Sequence, residues 1–194
     1  MIIIYGITAD EKVTLLKEFF TRIELDAKFI DKSVLDYTLK DLVEKDVPFE
    51  KIATDETAFL ISGDDREEAG GKVLAALAKG QIAFDYQILI EEDNLDKTLE
   101  AVIAEHRLYR SFLKKLAYLQ QLIDGTKNFK EAECDPDDWS ELKLAVANAN
   151  DYLDSLVNER EAGDKFDEED NATIELKIQD LKKAMKHLLD RNSK

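Results

Sequence analysis

The chain has 194 residues, of which 44% are apolar and 36% charged, so it can bury a real core beneath a strongly solvated surface. A net charge of −16 argues against binding to nucleic acid through its phosphates and against anionic membrane surfaces, and leaves solubility, cations or basic protein partners. Cys134 is the only cysteine, so no disulfide can form within the chain, and two histidines beside it are too few for a zinc site of the usual kind.

The N-terminal "MIIIYGITADEKV" has no basic region, and its apolar run is too short for a signal peptide. No stretch approaches the roughly 18 apolar residues of a membrane span. A cytoplasmic protein is expected.

Residues 1–46 align with residues 58–106. "IIIYG" (2–6) matches "FLISG" (59–63) at an offset of 57. "KV" (12–13), "AKFI" (27–30) and "DYTLKDLV" (36–43) match "KV" (72–73), "QILI" (87–90) and "DKTLEAVI" (96–103) at an offset of 60. Each copy reads as strand, glycine turn, helix, strand, helix. The short β-branched runs are the signature of buried strands, and Val13, Leu16, Phe20 and Ile23 have helical spacing.

Without the extra helices the order is βαβ-βαβ. That predicts an α/β (α+β) fold: a ferredoxin-like duplicated βαβ sandwich with extra helices. The alternative is a small open parallel sheet with helices on both faces.

"ISGDDREEAGGKV" (61–73) is not a phosphate loop. Gly63 and Gly71 stand too far apart, Val73 replaces the required hydroxyl, and Asp64, Asp65, Glu67 and Glu68 would repel a polyphosphate. Gly63, like Gly6, reads as the turn after a strand, with the acidic residues at a helix N-terminus. The strand ends near Gly6 and Gly63 are the candidate ligand site of the α/β half.

"EEDNLDKTLEAVIAEH" (91–106) carries Asn94, Thr98, Leu99, Glu105 and His106 in the order of an N-x-x-W-T-L…E-H pattern. On those residues the chain resembles a bacterial domain-of-unknown-function family, number 3783, as two tandem copies over about residues 1–107. Lys97 stands where that family has tryptophan; in the first copy Tyr37 supplies an aromatic there, but Val34 replaces the asparagine. The resemblance implies no activity, since the family has none assigned. It adds Asn94 and His106 to the candidate ligand-binding residues. From the residues alone, Asn94 or Asp93 would cap a helix beginning near Leu95, and His106 would close a surface patch.

From Leu95 to Asp124 there is neither glycine nor proline, which predicts one continuous helix (about 95–124) of about 45 Å leading from the α/β domain (1–107) into a second domain (108–194). Leu108, Phe112, Leu113, Leu116, Leu119 and Ile123 continue its apolar stripe, and Gly125 is placed to end it. In "CDPDDW" Asp135 reads as N-cap and Pro136 as first helical residue, with Asp137 and Asp138 beside the positive helix end; the spacing fits no calcium loop.

Trp139, Leu142, Val146, Ala149, Leu153 and Leu156 line a second helix, "EREAGDKFDEEDN" is an acidic loop, and Ile174, Ile178, Leu181, Met185, Leu188 and Leu189 mark a third. An antiparallel three-helix bundle is expected. Its W-x-x-L-x-x-A-x-x-x-A pattern (Trp139, Leu142, Ala145, Ala149) resembles three-helix modules of Gram-positive surface proteins.

Residues 125–170 hold fifteen acidic and five basic side chains, a net of −10; residues 171–194 hold three and six, a net of +3. Neither histidine lies in a catalytic motif, no serine sits in a nucleophile elbow, and Glu133 and Asp135 disfavour a Cys134 thiolate. The expectation is a non-enzymatic protein-interaction or adaptor protein without catalytic residues, cofactor or metal. It would have a protein partner, a basic one being an option that the charge leaves open, and self-association is open. A small-molecule sensor or enzyme with its site at the strand ends is the second reading, and an acidic mimic of nucleic acid the third.

Overall fold

Ile2–Tyr5 (β1) and Ala58–Ile61 (β3) are four-residue apolar runs buried on both faces, which suits the two central strands of a covered sheet. They pair antiparallel, and each pairs on its other side with a parallel edge strand: β1 with Ala27–Ile30 (β2), β3 with Tyr86–Leu89 (β4). The strand order is β2-β1-β3-β4. The computed structural model describes residues 1–63, 66–80, 82–158 and 166–192, the side chains of 66–69, 72, 191 and 192 excepted. Its fold is α+β: a four-stranded mixed sheet with helices, then a C-terminal helical region. Residues 1–104 and 105–194 form two compact units.

Helices Asp10–Arg22 (α1) and Arg66–Lys79 (α3) connect the parallel pairs. Their Val13, Leu16, Phe20, Val73 and Leu77 cover the sheet face that carries Ile2, Ile4, Phe59 and Ile61. The opposite face, with Ile3, Tyr5, Ala58 and Leu60, is covered by Leu39 and Leu42 of helix Leu39–Glu44 (α2) and by Leu99, Val102 and Ile103 at the start of helix Leu99–Thr126 (α4). The side-chain alternation of each strand thus feeds two cores.

This arrangement corrects the ferredoxin-like expectation. In a split βαβ sandwich a strand of the other half stands between the two parallel strands, whereas here each pair is in direct contact. Strands buried on both faces need cover on both faces, and α2 and the start of α4 supply the second layer. The layering follows the alternative reading, but the sheet is mixed rather than parallel.

Residues related by the sequence repeat meet across the centre. Ile3 lies opposite Leu60, 57 positions on. Thr38 bridges antiparallel to Thr98, 60 positions on. The flanking bonds are reciprocal: Leu39 N–H donates to Lys97 O and Leu99 N–H to Tyr37 O, while Lys40 N–H donates to Leu95 O and Glu100 N–H to Leu35 O. This bridge also explains why α4 begins at Leu99 and not near Leu95: Thr98 is engaged in strand-like pairing, and its hydroxyl caps the helix by accepting from Ala101 N–H at 3.2 Å. Thr38 caps α2 in the same way from Asp41 N–H at 3.1 Å.

In the C-terminal unit the helix passes through Gly125 and ends at Thr126, whose hydroxyl donates to Ile123 O. Helix Pro136–Asn158 (α5) starts as expected: the Asp135 carboxylate accepts from Asp137 N–H at 3.0 Å. Helix Glu168–Asn192 (α6) starts in a reciprocal box, Asp167 and Asp170 each accepting the other's backbone N–H. Lys115 pairs with Glu175, and Lys182 lies over Tyr118, so α6 runs parallel to α4; Glu141 near the start of α5 meets His187 near the end of α6, so α5 runs opposite. Phe112, Leu119, Leu142, Ala149, Ile174, Leu181 and Leu188 share one core. Leu113 and Leu189, expected within it, are exposed, and Ala184 takes a buried place on α6.

Gly6 and Gly63 both have positive φ, +83° and +126°. A Cβ on Gly6 would stand 2.1 Å from Glu56 O, whereas one on Gly63 would meet nothing nearer than 4.0 Å. Gly63→Ala should therefore cost about 1–2 kcal/mol through backbone conformation alone, and Gly6→Ala clearly more. Urea unfolding with hydrogen exchange at the β1 and β3 amides measures both; equal costs would contradict the packing role of Gly6.

Candidate functional site

Antiparallel pairing decides the fate of the strand-end site. Gly6 follows the C-terminal end of β1 and Gly63 that of β3, so the two glycines lie at opposite ends of the sheet and do not line one pocket. Beside Gly6 is an open cleft of about 290 Å³, bordered by Thr8, Lys12, Thr54, Thr57 and Ile82. Gly6 serves there by letting the chain pass close to Glu56. The acidic helix start assigned to Asp64, Asp65, Glu67 and Glu68 lies outside the described residues and side chains.

Asn94 is a turn lock. Its amide donates to Leu89 O at 2.8 Å, and its carbonyl accepts from Glu91 N–H at 2.9 Å, closing the chain after β4. The counterpart position holds buried Val34, and Asp31 closes the first-half turn instead. One Asp31 oxygen accepts from Ser33 N–H at 2.8 Å and the other from Ile52 N–H at 3.2 Å, within a fully buried setting. Burial pushes this carboxyl up, but the Ser33 side chain and the N–H groups of Ser33, Ile52 and Lys51 outweigh it and hold it below the usual aspartate range. His106 sits half-buried on α4 in the 105–194 unit, whereas Gly6, Gly63 and Asn94 belong to the 1–104 unit.

The feature that sequence reading missed is a difference between the halves. Phe29 on edge strand β2 is only 6% exposed. The chain after α2 returns over it: Phe49 packs at 6.3 Å between ring centroids, and the Lys51 ammonium pairs with Asp10 of α1. Lys17 of α1 also lies over the Phe29 ring. The counterpart of Phe29 is Leu89 on edge strand β4, and it is 38% exposed. The counterpart of Asp10 is Gly70. At the point where the first half turns back as residues 45–57, the second half continues as α4.

What remains between α3 and β4 is an open groove of about 340 Å³. Its described walls are Gly70, Gly71 and Leu74 on the helix and Gln87 and Leu89 on the strand, over a floor of Phe59 and Ile61. Gly70 lies close on Ile61, where a Cβ would come within 3.0 Å, whereas a Cβ on Gly71 would point into open space. The groove combines an apolar floor, an edge strand whose residues alternate between buried and exposed, and a helix wall without side chains at two positions.

Comparison with protein-family models, curated proteins and solved structures gives no significant match. The likeness to family 3783 therefore rests on the motifs in the chain itself. No helix among the described residues is long and apolar enough to cross a membrane.

The Asp31 cradle generates a pH prediction. Its folded pKa lies below the unfolded value of about 3.9, so its contribution is present above that value and is lost as pH falls through the folded pKa. Asp31→Ala should cost about 3 kcal/mol at neutral pH, two charge-assisted bonds being removed. Denaturant unfolding of parent and variant across acidic pH should show the gap narrowing towards low pH; a gap independent of pH would exclude an ionised Asp31 as its source.

Proposed function

We propose that this chain is a non-enzymatic protein-interaction protein. Its α/β unit takes an extended segment of a protein partner into the groove between α3 and β4, with an aromatic side chain as anchor. The carrying observation is that the equivalent position in the first half is occupied by the chain's own segment, Phe49 resting on Phe29 and Lys51 on Asp10, while Leu89 and Gly71 line an open slot. The first half thus supplies a template for the ligand of the second. Charge favours a basic segment, because residues 1–104 hold twenty-three acidic and twelve basic side chains, a net of −11.

The same reading takes residues 1–107 as two tandem copies of the family 3783 unit, descended from one duplicated βαβ half. One copy kept its own cover, and the other was left open for a partner. Leu89 and the α3 glycines then confer binding, while Asn94 and Thr98 hold the turn and the helix start that shape the edge of the slot.

Selection of a displayed random-peptide library on the full-length protein tests this. Enriched peptides should carry a Phe, Tyr or Trp with Lys or Arg nearby. Their affinity, by fluorescence anisotropy, should fall at least tenfold on Leu89→Glu, which places a charge in the slot, and on Gly71→Leu, which fills it. Gly71→Leu grows into open space, so the variant should fold. No enrichment, or peptides that bind both variants as tightly as the parent, would refute the reading.

A further inference from the structure

The C-terminal unit brings together three side chains with metal-ligand chemistry from two antiparallel helices. Asp138 and Glu141 are three residues apart on α5, a spacing that puts both on one helix face. His187 comes from the facing part of α6, with its Nδ1 at 3.0 Å from a Glu141 carboxylate oxygen. One donor atom from each of the three lies within 4.8 Å of the other two. Asp138 is among the few charged residues buried in the described structure, at 5% exposure, while Glu141 and His187 are half-exposed.

Two carboxylates drawn this close repel each other unless a cation lies between or beside them. Beside Glu141, the described residues include the His187 ring and the Lys183 ammonium, the latter 3.6 Å from the other Glu141 oxygen. Hydrogen bonding from His187, with the charges of His187 and Lys183, more than offsets desolvation and holds the Glu141 carboxyl below its ordinary range. Lys183 is largely exposed and can swing into solvent.

We infer that Asp138, Glu141 and His187 form a site for a divalent transition cation of the zinc class, with one imidazole nitrogen and two carboxylate oxygens as protein ligands and solvent completing the shell. The imidazole selects this class over calcium and magnesium, which prefer all-oxygen shells. Three ligands from two helices would cross-link α5 to α6 at the end of the unit where α5 begins. Lys183 competes with the cation for Glu141 and sets a moderate affinity.

Trp139, the only tryptophan, is the neighbour of Asp138 and supplies a built-in reporter. Calorimetric titration of the full-length protein with Zn²⁺ should give one saturable site per chain, and Co²⁺ should quench Trp139 fluorescence in parallel. His187→Gln and Asp138→Asn should each weaken both signals at least tenfold, Lys183→Ala should tighten binding, and Glu131→Gln, outside the triad, should leave it unchanged. Since burial of Asp138 leaves its variant open to misfolding, half-exposed His187 carries the decision, with far-ultraviolet circular dichroism as the folding control. Zn²⁺ should also raise the melting temperature of the parent but not of His187→Gln. Absence of a saturable site, or binding that His187→Gln leaves intact, would overturn the inference.

Discussion

Everything in the α/β unit hangs on the antiparallel contact between β1 and β3. It places Ile3 against Leu60 and, in the layer beneath, Thr38 against Thr98. Each half is a βαβ unit with one open sheet edge and one uncovered face, too small to bury its own apolar strands. Joining the halves back to back gives the two central strands partners on both sides and lets α2 and the start of α4 roof the second face. The reciprocal bonds around the threonines tie these two roofing helices to each other through backbone groups that would otherwise be unpaired helix starts.

The same symmetry makes the difference between the two edges visible. Two equivalent edges, β2 and β4, require equivalent protection, because an unpaired edge strand invites another chain. Residues 45–57 provide it for β2, where Phe49 and Lys51 clasp Phe29 and α1. At the corresponding point the second half is committed to the long helix α4, which leaves Leu89 open beside a glycine-lined wall. The edge is thus covered in one half and left open in the other, and the proposed partner site rests on that difference.

The candidate ligand residues read from the sequence have individual jobs that are mostly local. Asn94 locks a turn, just as Thr98 of the same stretch caps a helix, whereas Gly6 admits the carbonyl of the sequence-distant Glu56. Turns and caps depend on neighbours within a few residues, and for that reason they can be recognised as important without structure. What they are important for cannot be read in the same way. Asp31 shows the reverse case: its partner Ile52 is 21 residues away, and nothing in the sequence around it marks it as buried.

The sequence by itself determined the apolar strand runs around "IIIY" and "AFLI", the stripe Val13–Leu16–Phe20, the N-cap at Asp135 and the likeness of the two segments, because each follows from residue type, spacing or local chemistry. Only the tertiary structure decided strand order, the opposite placement of Gly6 and Gly63, the start of α4 at Leu99, the open slot at Leu89 and the meeting of Asp138, Glu141 and His187. Each of these depends on which distant segment packs against which. An offset of 57 or 60 residues says that two segments are alike, but it is backbone pairing across the centre that makes them neighbours.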